Sequence, residues 1–341
     1  MKSIKIGNFV VGGDRTFLIA EVGANHTGDL SLAKEHIDAA AESGTDAVKF
    51  QSLNLSKLYM NPSDSTKALH AAIDMDESWC AELKNYAEKR DIIFFSSPTY
   101  LDVVSLLDRL DIPVFKLASA QVGTFPQLVK AVAQTGKPII MSSGIVSYGQ
   151  LSDAVNMFIQ AGNPNFAILH CNSMYPTPAE KVYLGRMETY RRMFDCPVGF
   201  SDHTEGTAVV LAAVALRAAI IEKHFLLTSD INSPDAPFSI GPDVFKTMAG
   251  NIRTIERARE DSPRLNLEPD EQNFKDAIRY RLVLRNKKNE GDKFSENDFD
   301  FLRSEQGIDV MHLDLILTNM EAGSVLTAGK ILDWDCLRGI H

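Results

Sequence analysis

The sequence predicts an α/β fold: a (β/α)8 barrel of the TIM type followed by a small, mostly β unit. Three observations lead there. From residue 16 to about 258, short apolar runs alternate with longer segments at helical spacing, the pattern of parallel strands joined by helices. The runs number eight, and most end in a polar or ionisable residue. The 341-residue length suits one barrel of about 250 residues plus a module of roughly 60.

Taken in order, the strands are expected at Thr16–Val22, Asp46–Gln51, Ile92–Ser96, Val114–Leu117, Pro138–Met141, Phe166–His170, Val198–Phe200 and Ala219–His224. Their polar endings include Glu21, Lys49 with Gln51, Ser96, Lys116, Ser142, His170, Ser201 with His203, and Glu222 with His224. A strand buried in a parallel sheet should be apolar throughout, so repeated polar endings need partners, and the C-terminal end of a barrel is where active sites form. Between the strands, SLAKEHIDAAAESG closes on Gly44 and QLVKAVAQTGKP closes on Gly136 ahead of Pro138, as helix C-termini do. Residues 54–77 are polar, aperiodic and long for a βα connection, which suggests a loop over the barrel mouth. The barrel domain is expected over residues 1–260, a polar, proline-containing linker over 261–276, and the small domain over 277–341. In that last domain the β-type runs are Arg281–Arg285, Phe299–Phe301 and Val325–Ala328.

Composition narrows the function. A net charge of −10 offers no basic stripe for a nucleic-acid backbone. No apolar run approaches the roughly 18 residues of a membrane span, and Asp14 and Arg15 interrupt the N-terminal run where a signal peptide would need its apolar core, so a cytoplasmic protein is expected. Cys80, Cys171, Cys196 and Cys336 are scattered, without the spacing of a zinc or redox pair, and read as reduced structural thiols.

His203 in GFSDHTEG and His224 in IIEKHF end successive strands, so a closed barrel brings the imidazoles side by side. Two neutral imidazoles suit a divalent transition metal whose other positions go to water and substrate oxygens. Hydrogen-bonded loop histidines are the other reading, and spacing alone does not choose between them. Lys49, Lys116 and Lys223 interrupt apolar runs, where an ammonium needs an anion; with Ser97, Ser119, Ser142, Ser143 and Ser201 they could cradle a phosphate. Snorkelling lysines and helix-capping serines are the alternative. Glu21 and Glu222 are placed for proton transfer or for gripping hydroxyls, and Asp202 could orient an imidazole.

These same residues resemble the N-acetylneuraminate (sialic acid) synthase family, which includes pseudaminic and legionaminic acid synthases. The matching segments are IAEVGANHTGDLSLAKEHIDAAAESGTDAVKFQ, FFSSP, VFKLAS, IIMSSGI, LHCNSMYPTP, GFSDHTEG, AAVALRAAIIEKHF and SPDAPFS, in the family's order over most of residues 16–240. RYRLVLRNKKNEGDKFSENDFDFLRSEQGI resembles the family's antifreeze-like (SAF) domain. The resemblance implies condensation of phosphoenolpyruvate with the aldehyde of an open-chain N-acetylated hexosamine, giving a nine-carbon 3-deoxy-2-keto acid and phosphate. It implies that His203 and His224 hold Mn2+ or Mg2+, and that Lys49, Ser97, Lys116, Ser119, Ser142, Ser173 and Ser201 surround phosphoenolpyruvate. Glu21, Tyr175 and Glu222 fall in catalytic positions and Gln121, Asp235 and Arg303 in sugar-binding ones. It also implies a homodimer in which the SAF domain of one subunit covers the other's site.

Several positions depart from the family pattern. Gln121 stands where an acidic residue is usual, Ser173 where asparagine is common, and Ser233–Ala236 reads SPDA rather than GPDH. Phe301-Leu302-Arg303-Ser304 lacks the Arg-Pro common in the SAF domain. SPDAPFS is nearer to the pseudaminic acid synthase form and favours a di-N-acetylated 6-deoxyhexose over N-acetylmannosamine. The rival readings are a barrel aldolase with Lys49, Lys116 or Lys223 as a Schiff-base nucleophile, and a non-catalytic sugar-binding descendant of the barrel.

Overall fold

An antiparallel hairpin opens the chain, β1 (Ile4–Ile6) paired with β2 (Phe9–Val11). Eight parallel strands follow: β3 (Phe17–Gly23), β4 (Ala47–Ser52), β5 (Ile93–Pro98), β6 (Phe115–Leu117), β7 (Ile139–Ser142), β8 (Phe166–Cys171), β9 (Val198–Asp202) and β10 (Ile220–His224). They form one sheet in the order β5-β4-β3-β10-β9-β8-β7-β6, in which the first barrel strand pairs with the last, the mark of a nearly closed barrel. Each strand lies within about two residues of its sequence-predicted position, because a buried apolar run bounded by turn residues has few alternatives. In this computed structural model residues 2–259 and 266–340 are described, and the chain divides into two units, 1–260 and 261–341.

Period-2 alternation sorts every strand into an inner and an outer column. The outer column, with Leu18, Ala20, Val48, Phe94, Leu117, Met141, Ile168, Phe200 and Ile221, packs against helix residues such as Ile37, Leu83, Val103, Leu128 and Ile252. The inner column begins apolar: Phe17, Ile19, Ala47, Phe95, Val114, Ile140, Ala167, Leu169 and Ile220 form a second cluster, into which the hairpin inserts Ile4, Ile6 and Val11. That hairpin closes the barrel floor.

The helix Leu30–Glu42 starts on an Asp29 cap that accepts the Ser31 and Leu32 amides, and Gly44 follows its end at φ +76°. Residues 54–77, expected as a loop, instead carry helices Leu55–Leu58 and Asp64–Ile73. Asn54 and Ser63 cap them, and Asp74 ties the segment together by accepting the Leu55 amide at 2.8 Å and facing His70 Nδ1 at 2.5 Å. No helix among the described residues is long and apolar enough to cross a membrane. All four cysteines are free and buried.

In the second unit β11 (Tyr280–Leu284) pairs with β12 (Phe299–Arg303), and β13 (Met320–Ala322) with β14 (Leu337–Gly339), around a core of Leu282, Leu284, Phe299, Ile316 and Leu332. The expected run 325–328 contributes one bridging residue, Leu326, opposite Lys288, rather than a strand. Of the expected linker 261–276, residues 261–265 lie outside the described residues. Pro269–Ala277 forms a helix, begun by a Glu268–Glu271 capping box, so most of the described part of that segment is ordered secondary structure and not an extended linker.

Candidate active site

Where the inner column reaches the C-terminal ends of the strands its chemistry changes. Glu21 follows Ile19, Lys49 follows Ala47, Ser97 follows Phe95, Lys116 follows Val114 and Ser142 follows Ile140; Cys171 follows Leu169, and Glu222 and His224 follow Ile220. These side chains line a cavity of about 580 Å³, within the range of small-molecule sites. Ser119 and Gln121, on the short helix Ser119–Thr124, complete it together with Ser173, Tyr175, Ser201, His203 and Asp235 from strand ends and loops. Every barrel-domain residue that the family resemblance assigns to the site therefore lines one cavity. Arg303 belongs to the second unit, where its guanidinium lies 5.4 Å from the Tyr280 ring centroid.

A buried charge network occupies the base of the cavity. Lys49 Nζ lies 2.6 Å from Glu21 Oε2 and 3.6 Å from Glu222 Oε2, while Lys116 Nζ lies 3.6 Å from Glu222 Oε1 and donates to Ser142 Oγ at 2.8 Å. Gln51 Nε2 donates to Glu21 Oε1 at 2.7 Å, and Ser201 Oγ to Glu222 Oε1 at 2.8 Å. The two ammonium groups are not equivalent. Burial opposes the charge of Lys49, but Glu21 and Glu222 outweigh it and raise its pKa. For Lys116 burial wins over the more distant Glu222, and the pKa is lowered. Lys116 thus has only a 3.6 Å contact to Glu222, a carboxylate it shares with Lys49. Glu222 is held below the usual carboxylate range: burial pushes it up, and Lys116, Lys49 and the Ser201 hydroxyl pull it further down.

Hydroxyl groups crowd the same region. A Cβ on Gly144 would fall 2.3 Å from Ser173 Oγ and 2.8 Å from Ser119 Oγ, so only glycine lets both hydroxyls approach; Ser119 Oγ also accepts the Gly144 amide. Ser97 Oγ and Glu222 Oε2 are buried without a hydrogen-bond partner in the chain, the state of groups awaiting a ligand.

His203 and His224 have ring centroids 5.3 Å apart. His203 Nδ1 donates to the Asn172 carbonyl at 2.7 Å, which leaves the Nε2 lone pair for a ligand bond. Burial, and then the neighbouring His224, lower the His203 pKa to about 3, so the ring is neutral as a metal ligand must be. Tyr175 and Phe238 enclose the pair, at 4.4 Å from the His203 ring and 4.7 Å from the His224 ring. Among the described residues no group of three or more His, Cys, Asp or Glu could hold an ion. The donor set fits a divalent ion completed by water and ligand oxygens, not a closed structural site.

Lys223 corrects the sequence reading. It stands between Glu222 and His224, so alternation turns it to the outer face, where its ammonium meets Asp202 Oδ2 at 2.7 Å and donates to the Thr204 carbonyl. Both charged side chains are fully buried, and neither lines the cavity. Lys223 is therefore no phosphate ligand or nucleophile, and Asp202 orients no imidazole. Ser96, His170 and Ser143 also face away: Ser96 bonds Ser52, His170 the Val182 carbonyl and Ser143 the Leu169 carbonyl. Sequence reasoning missed Cys171, Leu53, Thr99, Ile145 and Phe238 among the lining residues, and did not assign Gln51 a role. Stepping by two from Leu169 and from Lys49 finds Cys171 and Gln51.

The profile of the NeuB family matches residues 36–263. The N,N'-diacetyllegionaminic acid synthase of Campylobacter jejuni is 35% identical over 323 residues, spanning 89% of this chain and 95% of its own length. The pseudaminic acid synthase of Helicobacter pylori is 33% identical over 305 residues, 85% of this chain and 89% of its own. Among solved structures, an N-acetylneuraminic acid (sialic acid) synthetase of Leptospira borgpetersenii in complex with citrate superposes with a TM-score of 0.74 at 30% identity, covering 80% of this chain and 95% of that one.

Proposed function

Because the chain belongs to the NeuB family, we propose that it joins phosphoenolpyruvate to the aldehyde of an open-chain N-acetylated amino sugar, releasing phosphate and a nine-carbon 3-deoxy-2-keto acid. The observation that carries this reading is a buried lysine, Lys116, whose one ion-pair partner is Glu222 at 3.6 Å, in the same cavity as two adjacent imidazoles. Lys116 and Lys49, with the hydroxyls of Ser97, Ser119, Ser142, Ser173 and Ser201, bind the phosphate and carboxylate of phosphoenolpyruvate. His203 and His224 hold Mn2+ or Mg2+, which when bound supplies Lewis-acid polarisation of the sugar aldehyde. Carbon 3 of phosphoenolpyruvate then forms a bond to the aldehyde carbon, water adds at carbon 2, and the C–O bond to phosphate breaks. Glu222, tied to Ser201 and both lysines, and Glu21, tied to Lys49 and Gln51, are the carboxylates within reach of the protons moved in the water addition. The Tyr175 ring, tilted 48° to that of His203 at 4.4 Å, flanks this imidazole at the mouth of the cavity.

Leu53, Ala120, Ile145, Pro234 and Phe238 line the cavity together with the neutral Gln121 amide. Such a wall suits the methyl groups of a di-N-acetylated 6-deoxyhexose better than an acceptor with more hydroxyls. Metal-dependent phosphate release from phosphoenolpyruvate, measured over a panel of amino sugars, tests both levels. Release with none of them would favour the non-catalytic sugar-binding reading. Replacing His203 or His224 with Ala should abolish turnover and leave the fold intact, and full activity in either variant would overturn the metal assignment.

One observation favours a second reading. A lysine whose pKa is lowered by burial is also what a Schiff-base aldolase uses, and Lys116 is such a lysine. Borohydride in the presence of pyruvate separates the two, since only the aldolase would be trapped as a covalent adduct on Lys116.

A further inference from the structure

The two imidazoles are handled differently at their second nitrogens. His203 Nδ1 is committed to the Asn172 carbonyl at 2.7 Å. His224 Nδ1 has no aligned hydrogen bond, but Asp235 Oδ2 stands 3.4 Å away. That carboxylate oxygen is not there by accident of a loose loop, because it accepts the Ala24 amide at 2.9 Å. The turn that carries it is pinned on three sides. Ser233 Oγ accepts the Asp235 amide at 3.2 Å, Ser239 Oγ donates to the Asp235 carbonyl at 2.6 Å, and Asn25 Nδ2 donates to Ser239 Oγ at 3.0 Å and to the Phe225 carbonyl at 2.8 Å. From the same turn Phe238 meets the His224 ring edge-on at 4.7 Å.

Gly23 is the second, independent sign. The register of β3 against β4 shifts between Glu21 and Gly23, and Gly23 takes φ +54°. A Cβ there would fall 2.2 Å from Asp235 Oδ2 and 3.2 Å from the His224 ring. The end of β3 is therefore shaped to leave room for this carboxylate beside this imidazole.

We propose that Asp235 is a positioning residue that acts through His224, holding the imidazole with its hydrogen on Nδ1 so that Nε2 is presented to the divalent ion. The inference rests on the two-histidine reading of the metal site. It gives Asp235 a role distinct from the sugar contact expected from sequence, which would require neither the Ala24 bond nor the space left by Gly23. Carboxylate–histidine–metal arrangements of this kind fix the ring's tautomer and orientation, and a 3.4 Å separation closes to hydrogen-bond length when the site is loaded.

The test is a Mn2+ titration of the metal-stripped protein, followed by the loss of the free-ion electron paramagnetic resonance signal, in the parent, Asp235→Ala, Asp235→Asn and His224→Ala. Asp235→Ala is expected to weaken Mn2+ binding by about 10- to 100-fold, the usual cost of losing such a partner. Asp235→Asn, whose amide oxygen can still accept from Nδ1, should lose less. Nitrogen NMR of the metal-free, 15N-histidine-labelled protein should show His224 protonated on Nδ1, and should show that state lost in Asp235→Ala. Parent-like Mn2+ affinity in Asp235→Ala, with a raised sugar KM, would overturn the proposal and leave Asp235 a sugar contact. Parent-like affinity in His224→Ala would remove the metal reading itself, and the proposal with it.

Discussion

The two ends of the same eight strands obey opposite rules. At the floor the inner column is apolar throughout and sealed by Ile4, Ile6 and Val11; at the mouth it turns ionic or hydroxylic, or in β8 to the Cys171 thiol. Backbone geometry is shared by both ends, so the difference lies wholly in side-chain chemistry. The floor gains stability from burial, whereas the mouth gives stability up to hold charges that a ligand completes. Lys223 and Lys116 make the same point in miniature. Both are buried lysines at strand ends, yet the outward one has a fully matched carboxylate at 2.7 Å and the inward one faces Glu222 at 3.6 Å.

The widest separation of the two ends should come from Lys116→Met. Removing this ammonium should lower kcat/KM by about 10²- to 10³-fold with little change in Tm, read by phosphate release and calorimetry. A large loss of Tm with activity kept would break the contrast. On the outer face, Asp202→Ala should cost about 4 kcal/mol in urea unfolding, because it strands a buried ammonium, and Asp202→Leu combined with Lys223→Met should recover much of that loss. At the floor, Leu169→Ala should cost about 3 kcal/mol of stability while the folded enzyme keeps its KM values. A KM shift there would show that floor and mouth are mechanically coupled.

The smallest effect is expected in acid. Burial lowers the pKa of His26 and His36 to about 4. Their folded-state values lie below the unfolded value of about 6.5, so the unfolded chain takes up protons first. The stability contribution is then complete above about pH 6.5 and is lost as pH falls toward 4. His36→Gln should flatten that slope, making the stability difference between pH 7 and pH 5 smaller by about 2 kcal/mol in urea titrations. An unchanged slope would assign the acid sensitivity elsewhere.

The barrel was legible because its strands are apolar runs punctuated by glycine and proline, and the cavity because polar residues at the ends of such runs have few places to go. Strand-end position alone did not say which face a residue takes. Lys223, Asp202, Ser96 and His170 sit as near the ends as Glu222 and Ser201, and only the period of two separates them. The helices within 54–77 were hidden for another reason. Asn54 and Ser63 are local caps, but the clasp of Asp74 on Leu55 joins residues far apart in sequence, and no short-range pattern announces it. In the second unit the 325–328 run has the composition of a strand, yet it supplies one bridge, because neighbouring segments decide pairing there.

The hairpin beneath the barrel carries a kinetic consequence. With β1 and β2 stopping one end, the cavity opens at the other: Lys116 and Ser142 are almost wholly screened, while Tyr175 and Ile145 are open to solvent. Under the proposed condensation, the anion that docks on Lys116 and Lys49 is expected to enter before the sugar that sits above it, an order that product-inhibition patterns would test.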